Sequence, residues 1–166
     1  MSVSIRKEKP IDIEPIHDVT AAAFLYAPHT DHREQFVVAG LRSSGMLSLS
    51  LVAEQSNQII GHVALSPVSI SDGSLEWYGL GPISVLPSEQ GKGVGSQLMR
   101  AALAELVNMN ANGCVLLGDP EYYKRFAFQS IDGLVLPDVP PEYFQAVRIQ
   151  GQYPRGTVTY HESFYL

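Results

Sequence analysis

The sequence predicts a mixed α/β domain occupying residues 1–166, and three observations carry that expectation. An apolar strand ending at Pro87 passes through three alternating glycines, Gly91, Gly93 and Gly95, into an amphipathic helix marked by Val94, Leu98, Ala102, Leu106 and Met109. Upstream, Leu49–Glu54, Gln58–Ile70 and Leu75–Leu86 read as an antiparallel meander of three strands, joined by polar turns at Gln55–Asn57 and Ser71–Ser74. Downstream, Asn112-Gly113 stops the helix, and the apolar run Cys114–Leu117 reads as a buried strand returning parallel to the sheet.

The remaining elements follow in order. Val3–Arg6 is a short first strand, and Pro10 opens a helix with Ile13, Ile16, Val19, Ala23 and Phe24 on one side and acidic residues near its start. Pro28 breaks the chain before a second helix from about Asp31 to Ser43, ending at Gly45. After Leu117, Asp119 is placed as N-cap with Pro120 at the first helical position, and the helix through Tyr122 and Tyr123 ends near Phe126. A strand is expected from Phe128 to about Leu136, a loop at Pro137–Pro141, an ambiguous segment at Tyr143–Ile149, and a final strand over Thr157–Phe164.

Composition narrows the function. A chain of 166 residues with 45% hydrophobic and 17% charged content buries a core without disulfides or structural metal. No apolar run approaches the ~20 residues a membrane span needs, and Met1–Pro10 has no apolar signal region, so a soluble, cytoplasmic protein is expected. Eleven Lys and Arg against 17 Asp and Glu give a net charge of −6 with no basic stripe, which argues against nucleic acid and favours a cationic or neutral substrate. Cys114, the single cysteine, reads as a small buried hydrophobe. His29 and His32 have the spacing of a metal pair but no further ligands nearby, so no metal is expected.

The glycine loop is built for an anion. Glycine lets a ligand approach the backbone closely, and the first N–H groups of the helix lack intrahelical partners and carry the positive end of its dipole. The loop lacks the spacing of a P-loop, and Ser96 spoils the last position of the dinucleotide fingerprint. Gln90, Gly93 and Gly95 fit a third pattern, Gln/Arg-x-x-Gly-x-Gly/Ala.

With Gly81–Pro87 before it and Tyr122–Phe128 after it, that pattern resembles the GNAT superfamily of acyl-CoA-dependent N-acetyltransferases. The runs Gly61–Val68, Leu117–Pro120 and Tyr160–Phe164 resemble its YhbS-like bacterial branch. The resemblance covers nearly the whole chain and implies one splayed mixed sheet of about seven strands flanked by about four helices. It implies acetyl-CoA as cosubstrate, its pyrophosphate on Gln90, Gly91, Lys92, Gly93, Val94, Gly95 and Ser96, and its pantetheine arm along Ile83, Ser84 and Val85. Gly79, Gly81 and Pro82 independently point to a kinked strand with an open edge, because glycine invites a bulge and proline cannot donate to a ladder. Tyr123 occupies the tyrosine of the family's Tyr-x-x-x-Gly-Phe motif, which implies a proton donor to the leaving thiolate, while Tyr122 is expected to pack. Ala127 departs from that motif's glycine, and Gly118–Pro120 replaces an asparagine common in the family.

The chemistry implied is direct attack of an amine on the acetyl thioester. Glu54, Glu76, His62 and Ser66 are the groups weighed as base, and none is assigned. The alternatives are a non-catalytic acyl-CoA sensor, which keeps the cleft without turnover, and a doubly wound oxidoreductase, disfavoured because the glycine loop follows an antiparallel meander. The acceptor amine carries no motif and stays open.

Overall fold

The computed structural model describes residues 2–28 and 30–166. Strands β1 (Ser4–Lys7), β2 (Leu49–Gln55), β3 (Gln58–Pro67), β5 (Trp77–Val85), β6 (Gly113–Leu117) and β8 (Phe144–Arg148) form one sheet in the order β1-β2-β3-β5-β6-β8. All neighbours run antiparallel except β5 and β6. Strands β4 (Ser69–Ile70), β7 (Leu134–Val135) and β9 (Gly156–Thr159) form a second, smaller sheet in the order β4-β9-β7. The expected mixed α/β architecture is present, its strands divided six and three.

Helices cover both faces of the larger sheet. Helix α3 (Val94–Asn108) buries Val94, Leu98, Met99, Ala102 and Leu106, a stripe of three- to four-residue spacing, against Leu51, Val63 and Leu65. On the opposite face, α1 (Ile13–Phe24) and α2 (Glu34–Ser43) bring Ile16 and Val38 onto Val52. The smaller sheet packs Ile70, Leu134 and Val158 against Trp77 and Phe144.

Several boundaries differ from the expected ones for local reasons. The long strand Gln58–Ile70 stops at Pro67, and Ser69–Ile70 leaves to pair with β9. The strand expected over Phe128–Leu136 is reduced to a bridge between Gln129 and Ala146 and the short β7, since a turn at Asp132-Gly133, with Gly133 at φ +84°, folds Leu134 N–H back onto Ile131 O. The strand expected over Thr157–Phe164 ends at Thr159, and Glu162–Phe164 forms a 3-10 turn whose leading residue, His161, accepts a bond from Ser163 N–H. The ambiguous Tyr143–Ile149 supplies β8. Pro10 opens a 3-10 turn before α1, and α2 begins at Glu34 rather than Asp31, whose carboxylate accepts from Arg33 N–H. The histidine pair cannot be placed, because His29 lies outside the described residues. No helix among the described residues is long and apolar enough to cross a membrane.

From α2 a partly buried polar chain runs inward to a fully buried ring. Arg42 holds Glu8 at 2.9 and 3.1 Å, Glu8 accepts from the Ser50 hydroxyl, and Ser50 Oγ lies 2.7 Å from His62 Nε2. Since Ser50 spends its one proton on the carboxylate, His62 Nε2 must be the donor to Ser50, leaving Nδ1 as a bare acceptor with no partner among the described residues. Burial lowers the His62 pKa from 6.5 to about 4, the attraction of Glu8 offsetting only part of it. The folded protein thus holds His62 neutral where the unfolded chain takes up a proton. Stability contributed by the neutral ring is complete above pH 6.5 and is lost as pH falls toward 4, by about 3 kcal/mol across the window. Urea midpoints measured from pH 7.5 to 4.5 should fall steeply for the wild type and much less for His62→Gln; parallel curves would exclude the buried ring as the cause.

Candidate active site

The site begins where two strands part. β5 and β6 pair only over Trp77–Gly79 and Gly113–Val115, after which β5 continues to Val85 beside β3 while β6 stays with β8. Gly81, at φ +141°, and Pro82, which has no N–H, sit at the departure, opposite a register shift in β3 between Val63 and Leu65. A wedge therefore opens along Leu80–Val85, and no strand among the described residues pairs with its edge.

The alternation of the ladder decides which groups face the wedge. Leu86 N–H donates to Ile60 O at 2.9 Å, and stepping back by two turns Ser84 toward β3 while the amides of Ile83 and Val85 point the other way. Ser84 is not brought to the wedge with its neighbours: its side chain is buried directly opposite His62, and its hydroxyl has no partner among the described residues. The Val85 carbonyl is taken by the Gln90 side chain at 3.0 Å, which ties the start of the glycine loop to the end of β5.

The loop then delivers a bare helix end. Gly91 and Gly93 adopt φ +76° and +85°, conformations that an L side chain resists, and Gly93 leads α3 without any side-chain cap. The leading amides of Val94, Gly95 and Ser96 have no intrahelical acceptor, and the side chain of Val94 is anchored in the core. Lys92 is exposed and paired with Glu89 at 3.3 Å, so its charge is partly committed within the loop. The loop and the wedge lie at the same end of β5, as consecutive segments of one chain.

A short helix, α4 (Pro120–Tyr123), faces this arrangement. Asp119 caps it by accepting from Glu121 N–H at 3.0 Å. The Tyr123 ring packs over Gly118, where a Cβ would come within 2.3 Å of it, and lines a cleft of about 460 Å³ together with Ile83 and Leu117. Burial, with smaller contributions from Tyr122 and Asp119, pushes its phenol up to about 12, so it stays protonated at any ordinary pH. Tyr122 does more than pack: it meets Tyr123 and Phe126 edge-on, and its hydroxyl lies 3.3 Å from Ser96 Oγ at the start of α3. Ala127 preserves the turn after this segment by adopting the left-handed φ of +69° itself.

None of the groups weighed as base lines this cleft. Glu54 is held by Arg6, Glu76 accepts from the Tyr78 hydroxyl, and His62 and Ser66 are fully buried. Cys114 is also buried, its thiol pKa pushed up by that burial. Instead the cleft is lined by acidic Asp31 and Glu34 at the entrance to α2 and by Tyr160 after β9. The family resemblance implies that the two helices after the first strand and the loop between them line the acceptor site, but sequence reasoning singled out none of these side chains: they lie far from the glycine loop in the chain, and no spacing connects them.

Fold and site together define an acyl-transferase class, and comparison with known proteins agrees. Residues 47–130 match the family model for the acetyltransferase (GNAT) domain, and the chain belongs to that family. It is 36% identical over 126 residues to the uncharacterized N-acetyltransferase YhbS of Escherichia coli K12, covering 75% of this chain and 72% of that protein. A crystal structure of a GNAT family acetyltransferase from Brucella melitensis in complex with acetyl-CoA superposes with a TM-score of 0.88 at 44% identity, over 98% of both chains. The structure of Escherichia coli YhbS in complex with CoA gives a TM-score of 0.90 at 33% identity, covering 99% of this chain and 92% of that one.

The left-handed Ala127 is a conformational cost that glycine would relieve. It is exposed and loses no buried contact on truncation, so Ala127→Gly should raise the unfolding free energy by about 0.5–1 kcal/mol, read from the urea midpoint at unchanged m-value. An equal or lower midpoint would mean that the turn is not strained.

Proposed function

We propose that this protein, acting as a single domain over residues 1–166, transfers the acetyl group of acetyl-CoA to a primary amine by direct attack. The observation that carries the reading is the meeting of two unpaired backbone surfaces, the open β5 edge and the uncapped start of α3, at one end of the same strand. The amides of Val94, Gly95 and Ser96 suit a pyrophosphate, where side chains would crowd the approach. The pantetheine arm would complete the Ile83–Val85 edge as an added strand, and an outward N–H there would bond the thioester oxygen as it gains charge.

In this scheme the ammonium first loses one proton to solvent; the neutral amine nitrogen then bonds to the carbonyl carbon, the carbon–sulfur bond breaks, and the nitrogen's surplus proton passes through solvent to restore the Tyr123 phenol. Tyr123 gives its proton to the departing thiolate, which leaves as CoA–SH. Its elevated pKa favours the protonated donor. Acetyl-CoA as cosubstrate accords with the cytoplasmic location expected from the sequence.

Two measurements test the parts separately. Acetyl-CoA should raise the Tm of the wild type, while Gly93→Val, still folded, should lose that shift, because valine cannot hold φ near +85°. Lys92→Ala should weaken binding only modestly and in a salt-dependent way, since Lys92 already pairs with Glu89. An unaltered shift in Gly93→Val would move the pyrophosphate elsewhere. Tyr123→Phe keeps the wall of the cleft and removes the donor; kcat should drop by roughly 10²-fold with acetyl-CoA affinity intact. Wild-type turnover by that variant under chemistry-limited conditions would reject the general-acid role, and acetyl-CoA binding without turnover of any amine would favour a sensor.

A further inference from the structure

We infer that the acceptor is a primary amine on an apolar body, carrying no anionic group, whose ammonium is received by Glu34 with Asp31 beside it; this rests on the acetyltransferase reading above. The cleft that contains Ile83 and Tyr123 extends between α2, the end of β5 and the C-terminal segment, and its 460 Å³ suits a small molecule. Its walls are apolar and aromatic, with Phe24, Leu136, Val139, Phe164 and Tyr165 contributing, so the body of the acceptor is hydrocarbon rather than sugar or phosphate.

The charges in the lining have one sign. Asp31 and Glu34 are carboxylates, and no Lys, Arg or His lines the cleft among the described residues. Glu34 Oε2 accepts from the Thr30 hydroxyl, but Oε1 is buried and has no partner among the described residues. A buried carboxylate oxygen without a donor is costly, and an ammonium would supply the missing bond together with the opposite charge. The Tyr160 hydroxyl, on a residue that lines the same cleft, is likewise buried without a partner among the described residues. An acceptor with its own carboxylate or phosphate would meet two like charges and no compensating cation, against a whole-chain charge of −6.

Phenethylamine and L-phenylalanine differ only by a carboxylate, and the amino acid has the less basic amine, so ordinary nucleophile availability works against the expected result. With acetyl-CoA saturating, kcat/KM for phenethylamine should exceed that for L-phenylalanine by at least about 10-fold. Glu34→Gln should raise KM for phenethylamine roughly 10- to 100-fold while Tm and acetyl-CoA affinity stay at wild-type values; Asp31→Asn should act in the same direction and less. Equal or reversed preference between the two amines, an unchanged KM in Glu34→Gln, or failure of phenethylamine to bind the CoA-loaded protein would each overturn the inference while leaving the acetyl-CoA site standing. Failure of the wild type to bind acetyl-CoA would overturn both.

Discussion

The structure depends on a strand that loses one of its neighbours halfway along. As far as Gly79, β5 is an interior strand held by β3 and β6; beyond it, no strand among the described residues pairs with the side that faced β6. Unpaired N–H and C=O groups in a protein's interior are costly, and a cleft whose ligand supplies the missing bonds resolves that cost. Gly81 and Pro82 stand at the departure for this reason. One accepts a backbone angle that other residues resist, and the other has no N–H to contribute to a ladder.

The rest of the fold makes that opening durable. β3 stays bonded to β5 along the side that does not open, α3 fixes the far end through Val94 and Leu98, and Gln90 ties the glycine loop back to Val85. The smaller sheet supports the opposite lip, with Leu134 and Val158 packed on Trp77 and Val115, where β5 and β6 still pair. A rigid rim on both sides lets binding groups made of backbone hold position without side-chain reorganisation.

The sequence made one half of the site legible and hid the other. The strand, glycine loop and helix can be read because their signals are local: Pro87 and three glycines punctuate, and Leu98, Ala102 and Leu106 repeat with the helical period. The far wall of the cleft is assembled from Glu34, Tyr160 and Leu136, brought together by topology from distant parts of the chain, so no spacing announces it. The misplaced strands share a cause. Phe128–Leu136 and Thr157–Phe164 are each expected as one strand, the second from its alternation, yet Gly133 turns the first and the 3-10 turn at Glu162–Phe164 ends the second, each satisfying backbone groups locally. Ser84 illustrates a finer limit: residues adjacent in sequence on one strand face opposite sides, and only the register with β3 shows that Ile83 and Val85, and not Ser84, look into the wedge.

The central claim is that a cofactor completes the open edge of β5 and the bare start of α3 together. Backbone hydrogen exchange, resolved by residue with and without CoA, tests it most directly, because the claimed binding groups are amides. Exchange should slow at Ile83 and Val85 and at Val94, Gly95 and Ser96 in the same titration. Saturating CoA that leaves those amides unchanged while protecting another surface would contradict it.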